Sequence, residues 1–158
     1  CELYCHAWNH LHDIPIVCLR FFTVFGPRQR PDLAISKFTR LAENGKPLTL
    51  YGDGTTSRDY TYVSDIVNGI IAALDSNLRF EIINLGCGNP VTLNELVEMI
   101  GNALGTDLKI ERLPDQPGDV PLTHADISRA RRLLDYEPRV PVGKGVEAFV
   151  EWYRANRA

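Results

Sequence analysis

Positions 14–25 read IPIVCLRFFTVF, an apolar, β-branched and aromatic run with a single charge at Arg20. A strand with one wet face alternates polar and apolar residues, and this one does not. Such a run is expected to be a strand buried on both faces of a parallel sheet, and the rest of the chain has to supply the layers that cover it.

The flanking pattern supplies helices. CELYCHAWNHLH has helical spacing, and Leu3, Tyr4, Ala7, Trp8 and Leu11 form the stripe expected to be buried. GPRQRP breaks the apolar run, and DLAISKFTRLAENG follows as a helix, with Asp32 as its expected N-cap and Gly45 as its stop. Two short strands, PLTLYG and SRDYTYV, flank DGTT, whose Asp-Gly step favours a turn. SDIVNGIIAALDS reads as a helix capped by Ser64, FEIINLG as a short buried strand, and TLNELVEMIGNALG as a helix opened by a Thr92–Glu95 capping box and closed at Gly105. DLKIERLP is a strand, DQPGDVPLTH a loop, and DISRARRLLDY and VGKGVEAFVEWYRAN are helices. This alternation predicts an α/β fold: part of a Rossmann-like doubly wound sheet, with the short strands in a small α/β lobe.

With 158 residues, 44% of them hydrophobic, the chain can bury one substantial core. Its net charge of −3 excludes a protein whose whole surface is a nucleic-acid or membrane footprint. No apolar run approaches the roughly 18 residues that span a bilayer, so a cytoplasmic protein is expected. Cys1, Cys5, Cys18 and Cys87 show no C-x-x-C pair and read as reduced thiols. Cys1, Cys5, His6, His10 and His12 crowd the first turns, yet no second ligand pair accompanies them, and no metal site is expected. The chain opens inside a helical pattern, without Met or an N-cap residue, and is expected to be part of a longer protein.

Ligands of open α/β sheets bind beyond the carboxyl ends of the strands, where RFFTVFGPRQR places Thr23, Arg28 and Arg30. Guanidinium forks hold phosphate or carboxylate oxygens bidentately, which makes Arg28, Arg30 and Arg58 candidates for an anionic ligand; each reads equally well as a solvated surface arginine. Asp119, in PDQPGDVPLTHAD, can accept bonds from sugar hydroxyls or bond its own turn.

Four segments, RFFTVFGPRQRPD, GKPLTLYGDGTTSRDYTYVSDIVNGI, INLGCGNPVTLNEL and QPGDVPLTHADISRARRLLDYEP, together resemble the extended short-chain dehydrogenase/reductases of the NAD-dependent nucleotide-sugar epimerase/dehydratase family. FFTVFGPRQRPD looks most like the UDP-glucuronate 4-epimerases. The resemblance implies Phe21 and Phe22 near the nicotinamide of NAD and Thr23 beside the sugar. It also implies Arg30 and Arg58, with Lys37 more weakly, at the diphosphate or acid groups, Thr49 and Tyr51 bordering the uracil, and Asp119 on the ribose. Gln116 stands where many relatives have Arg, which leaves Arg30 to supply that charge.

The resemblance further implies C4 epimerisation of a UDP-sugar through a 4-keto intermediate, in a parent that works as a homodimer. The catalytic Y-x-x-x-K and the G-x-x-G-x-x-G phosphate loop would lie upstream of Cys1. Tyr4 has Trp8 four residues on, so no catalytic residue is assigned within the chain. The expectation is a C-terminal, substrate-binding portion, inactive alone, with Rossmann elements at about 1–26 and 64–88 and the nucleotide-sugar lobe at about 27–63 and 89–158. The alternatives are a dehydratase, decarboxylase or reductase on the same scaffold, or a non-catalytic nucleotide-sugar-binding module.

Overall fold

The apolar run at 14–25 is divided at Phe22 between two strand pairs. Strand β1 (Ile16–Phe21) lies parallel to β6 (Phe80–Leu85), in register from Ile16 opposite Phe80 to Phe21 opposite Leu85. The Phe22 N–H still donates to Leu85 O at 3.1 Å. The chain then changes partner, and β2 (Thr23–Phe25) runs parallel to β5 (Tyr60–Tyr62). The computed structural model describes residues 1–156; positions 157 and 158, the end of the expected lobe, lie outside the described residues.

Burial on both faces does not extend along β1, which is half-buried from Ile16 to Leu19 and exposed at Arg20 and Phe21. Among the described residues it pairs along one edge only, with β6. Helix α1 (Glu2–His12) covers it with Glu2, Cys5 and Asn9, while Leu3, Tyr4, Trp8 and Leu11, the stripe expected inside, are 87, 76, 53 and 72% exposed. Polar bonds accompany this orientation. Arg20 grips Glu2 through two bonds of 2.7 Å, and the Asn9 amide donates to Ile14 O and Arg79 O. A hydrophobic stripe finds a core only where the neighbouring element offers one, and here β1 meets the polar face of α1.

Helix α2 (Ala34–Glu43) starts from Leu33 and not from an Asp32 cap; the Asp32 carboxylate pairs instead with Arg30 at 3.4 Å. Gly45, at φ 65°, ends it as expected, its N–H on Ala42 O. The segments flanking DGTT form a turn without pairing to one another. Strand β3 (Leu48–Tyr51) runs parallel to β8 (Ile110–Leu113), whereas β4 (Ser57–Arg58) pairs antiparallel with β7 (Val91–Thr92). The turn is built by Asp53, whose carboxylate accepts the Thr55 N–H and hydroxyl, and by Gly54 at φ 83°. Distant partners then draw its two arms apart.

Helix α3 (Val63–Leu74) begins one residue before Ser64, which provides no cap; its first-turn Asp65 is buried and accepts the Val140 N–H at 3.0 Å. Helix α4 (Leu93–Leu104) has both halves of the Thr92–Glu95 capping box and ends on left-handed Gly105. Helices α5 (Ser128–Leu134) and α6 (Val142–Ala155) complete an α/β structure in which three of the four strand pairs are parallel.

Two apolar cores result. One gathers Phe25, Ile35, Leu48, Leu50, Leu96, Ile100, Val146 and Phe149 between α2, α4, α6 and the short strands. The other joins Ile66, Ile83 and Leu85 to Ala125, Ile127, Ala130 and Tyr136, and so carries residues 125–136 onto the β1–β6 pair. Asp59, fully buried between β4 and β5, stands where the two meet.

Candidate functional site

Asp59 organises the site. Its carboxylate accepts the backbone N–H groups of Cys87 at 2.7 Å, Gly88 at 2.9 Å and Ala125 at 3.0 Å, and the Thr61 hydroxyl at 3.3 Å. Its own N–H donates to the Thr123 hydroxyl, and its carbonyl accepts the Thr23 N–H at 3.1 Å. One aspartate therefore binds the FFTVF, SRDYTYV, INLGCGN and PLTHAD segments to one another. A buried carboxylate is stable there because N–H dipoles replace its water. Gly86 permits the approach, since a Cβ at that position would lie 2.3 Å from Ala125 Cβ.

Groups around this cluster are shifted chiefly by their burial. Burial, with the charge of Asp59 next, pushes the Cys87 thiol above its usual value. Burial also raises the Tyr136 hydroxyl, helped by Asp65; that hydroxyl stays protonated and donates to Gly86 O at 3.0 Å. Tyr60 is raised by burial as well.

Arg58 and Asp119 lie on the outer side of the Asp59 cluster and form an ion pair through Arg58 Nη2 and Asp119 Oδ1. Arg58 Nη1 also donates to Ser57 O, so the guanidinium is held at two points. The loop bearing Asp119 is tied to β4 by the Ser57 N–H on Pro121 O and the Thr123 N–H on Ser57 O. Thr23 opens β2 opposite Tyr60, and Phe21, half exposed, ends β1 at the carboxyl end of the parallel pair. Phe22 packs against the core of Ile83 and Leu85.

Thr49 and Tyr51 lie on β3 opposite Glu111 and Leu113, with Tyr51 40% exposed. The turn beyond them is pinned by Asn94, which donates to Asp53 O and accepts from Arg112 Nη2. Arg28 is exposed, at φ 66°. Among the described residues, no hydrogen bond or ion pair joins Arg30 or Lys37 to Arg58 or Asp119, and Arg30 turns to Asp32. Open grooves of about 570 Å³ beside α4 and β8 and about 760 Å³ beside Cys87 and Arg131 are lined by neither Arg58 nor Asp119. No group of three or more His, Cys, Asp or Glu able to hold a metal ion occurs among the described residues, and no helix there is long and apolar enough to cross a membrane.

Sequence reasoning missed the part played by Asp59. A clue was present: a carboxylate between a hydrogen-bonding arginine and a strand of aromatic residues has to be exposed or fully satisfied.

Residues 1–86 match the family model described as NAD dependent epimerase/dehydratase family. The chain is 41% identical over 156 residues to the UDP-glucuronate 4-epimerase of Thermodesulfobacterium geofontis (strain OPF15), matching 98% of this chain with 48% of that protein. The UDP-glucuronic acid 4-epimerase of Bacillus cereus, solved with UDP-glucuronic acid and NAD, superposes with a TM-score of 0.90 at 38% identity, over 98% of this chain and 50% of that one. The UDP-N-acetylglucosamine 4-epimerase of Methanobrevibacter ruminantium M1, solved with UDP-N-acetylmuramic acid, gives a TM-score of 0.93 at 32% identity, over 99% and 52%. The chain spans about half the length of these relatives.

Proposed function

The chain belongs to the NAD dependent epimerase/dehydratase family, and we propose that it is the C-terminal, substrate-recognising half of a UDP-sugar 4-epimerase acting on a UDP-uronate or UDP-hexose. The observation that carries this reading is the convergence of the four segments on Asp59, with Arg58 against Asp119 at its outer side.

The Arg58 fork takes the diphosphate and the Asp119 carboxylate accepts the ribose hydroxyls, so a nucleotide exchanges their mutual ion pair for charge-assisted bonds of its own. The Thr23 hydroxyl orients the sugar. Arg30 and Lys37 add positive charge for the ligand's diphosphate or acid groups. Thr49 and Tyr51 border the uracil, where the half-exposed Tyr51 ring offers an apolar face. Phe21 and Phe22 fit NAD: the exposed Phe21 ring ends a parallel strand, where nicotinamide needs an apolar wall and no competing water. NAD held against Phe21 and Phe22 would supply a reversible hydride acceptor for C4 of the sugar.

Neither Y-x-x-x-K nor G-x-x-G-x-x-G occurs in these 158 residues. The general base and the phosphate loop come from the other half of a cytoplasmic parent, and the chain alone binds nucleotide sugar without turning it over. The exposed stripe of Leu3, Tyr4, Trp8 and Leu11 supports a parent in which α1 is covered by protein, as in a homodimer.

The test is a fusion. The chain alone, with NAD and UDP-glucuronate, is expected to give no C4 epimer. Joined behind the N-terminal half of the Bacillus cereus enzyme, it is expected to give UDP-galacturonate. A folded, NAD-loaded fusion that epimerises no UDP-sugar would overturn the assignment, and so would turnover by the isolated chain.

A further inference from the structure

Helix α1 and strand β1 run past each other with matched side chains. Arg20 Nε and Nη2 each bond the Glu2 carboxylate at 2.7 Å. Three residues further along the helix, roughly 4.5 Å of rise, stands Cys5; two residues back along the strand, roughly 6.6 Å, stands Cys18. Positions i and i+3 share a helix face, and alternate residues share a strand face, so the contact that joins Glu2 to Arg20 also brings Cys5 over Cys18. The far end is fixed too: the Asn9 amide holds Ile14 O at 2.8 Å, and the His6 ring packs edge-on against Phe80, opposite Ile16.

The neighbouring Cys5 is felt at Cys18, whose thiol is pushed up first by burial and then by Cys5. Both are half-buried, reachable by a small solute yet packed between the helix and the strand. Cys1, one turn before Cys5, is exposed, and Cys87 lies at the Asp59 cluster.

We propose that Cys5 and Cys18 are a dithiol modification site that a small-molecule disulfide such as glutathione disulfide closes to a disulfide, fastening α1 to β1. Cys5, as its thiolate, attacks one sulfur of glutathione disulfide and expels one glutathione thiolate, leaving a mixed disulfide on Cys5. Cys18 then loses its proton, attacks the Cys5 sulfur and expels the second glutathione. Two protein S–H bonds are lost and one S–S bond forms, while one glutathione disulfide is reduced to two glutathione thiols. The order follows from the surroundings: burial, and then the adjoining Cys5, push the Cys18 thiol up, so that it stays protonated until the mixed disulfide stands beside it.

The test uses the full chain carrying Cys1→Ser, which removes the exposed competitor. Native protein is incubated with glutathione disulfide, freed of small thiols, unfolded and alkylated. The free thiols are expected to fall from three to one, with no retained glutathione. Cleavage ahead of Asp13 then leaves residues 1–12 attached to the peptide bearing Cys18 until a reductant is added. The variant Cys1→Ser with Cys18→Ser is expected to hold glutathione stably on Cys5. A Cys1→Ser chain that keeps all three thiols, retains glutathione on Cys5, or joins either cysteine to Cys87 overturns the proposal.

Discussion

The buried carboxylate of Asp59 accepts the Gly88 N–H at 2.9 Å across 29 residues of sequence. The same carboxylate holds Cys87 and Ala125, so the strand pair containing Thr23 and the loop leading to Asp119 are both fixed to one anion. Neighbouring Arg58 is thereby held with its guanidinium toward Asp119.

Replacing Asp59 with Ala leaves three backbone N–H groups in the interior without acceptors. Each costs about 1–3 kcal/mol when fully buried, so the variant should lose roughly 3–9 kcal/mol, nearer the lower end because the Cys87 and Gly88 groups are only partly buried. Asp59→Asn keeps one acceptor oxygen and should lose about half as much. Urea denaturation measures both, and a loss below about 1 kcal/mol for Asp59→Ala would mean that water replaces the carboxylate.

Local features were legible in the sequence, because their causes lie within one turn of chain. Thr92 and Glu95 cap α4 through bonds spanning three residues, and Gly105 ends it by its own backbone freedom. Pairing was less legible. Ser57 and Arg58 find Val91 and Thr92, not the nearby strand across DGTT, because a turn fixes direction but not which distant edge competes for the arm. The face that α1 turns to β1 was not legible either, because Glu2 and Asn9 meet partners far along the chain. Asp59 was visible as a residue, but the three N–H groups that satisfy its carboxylate are backbone groups 28 to 66 positions away, and backbone groups leave no mark in a sequence.

Two glycines of α6 should respond to alanine with opposite signs. Ala exceeds Gly in a helix by about 0.5–1 kcal/mol. At Gly143 the nearest atoms to a new Cβ are 4.0 Å away on Met99, so Gly143→Ala should stabilise by up to that amount. At Gly145 the Cβ would stand 2.6 Å from the Phe25 ring and 2.7 Å from the Tyr62 ring, and the overpacking should cost about 1–3 kcal/mol. Thermal unfolding of the two variants decides; stabilisation by both would show that helix propensity outweighs packing.

Acid should loosen the capping box. The Thr92 hydroxyl and backbone N–H hold the Glu95 carboxyl below its usual 4.5, so its contribution is complete above that value and is lost as the pH falls through the lower folded-state value. Arg20 lowers Glu2, Thr55 lowers Asp53 and Ser128 lowers Asp126 in the same sense. The denaturation midpoint should therefore decline between about pH 5 and pH 3. Glu95→Gln should be less stable than the native chain at neutral pH and show a shallower decline. A variant curve parallel to that of the native chain would remove Glu95 from the explanation.

The proposed division of labour between Arg58 and Asp119 is testable with two ligands that differ only in phosphate. If Arg58 grips the diphosphate, Arg58→Ala should weaken UDP about 10- to 100-fold, or about 1.4–2.8 kcal/mol, and leave uridine nearly unchanged. If Asp119 holds the ribose, Asp119→Ala should weaken uridine and UDP by similar factors, since both carry the same hydroxyls. The partial burial of Arg58 and the exposure of Asp119 favour variants that still fold, which circular dichroism checks. Calorimetric titration of the chain gives the affinities. Equal losses for uridine and UDP in Arg58→Ala would show that the arginine acts by holding the Asp119 loop, with the phosphate contact supplied by another residue.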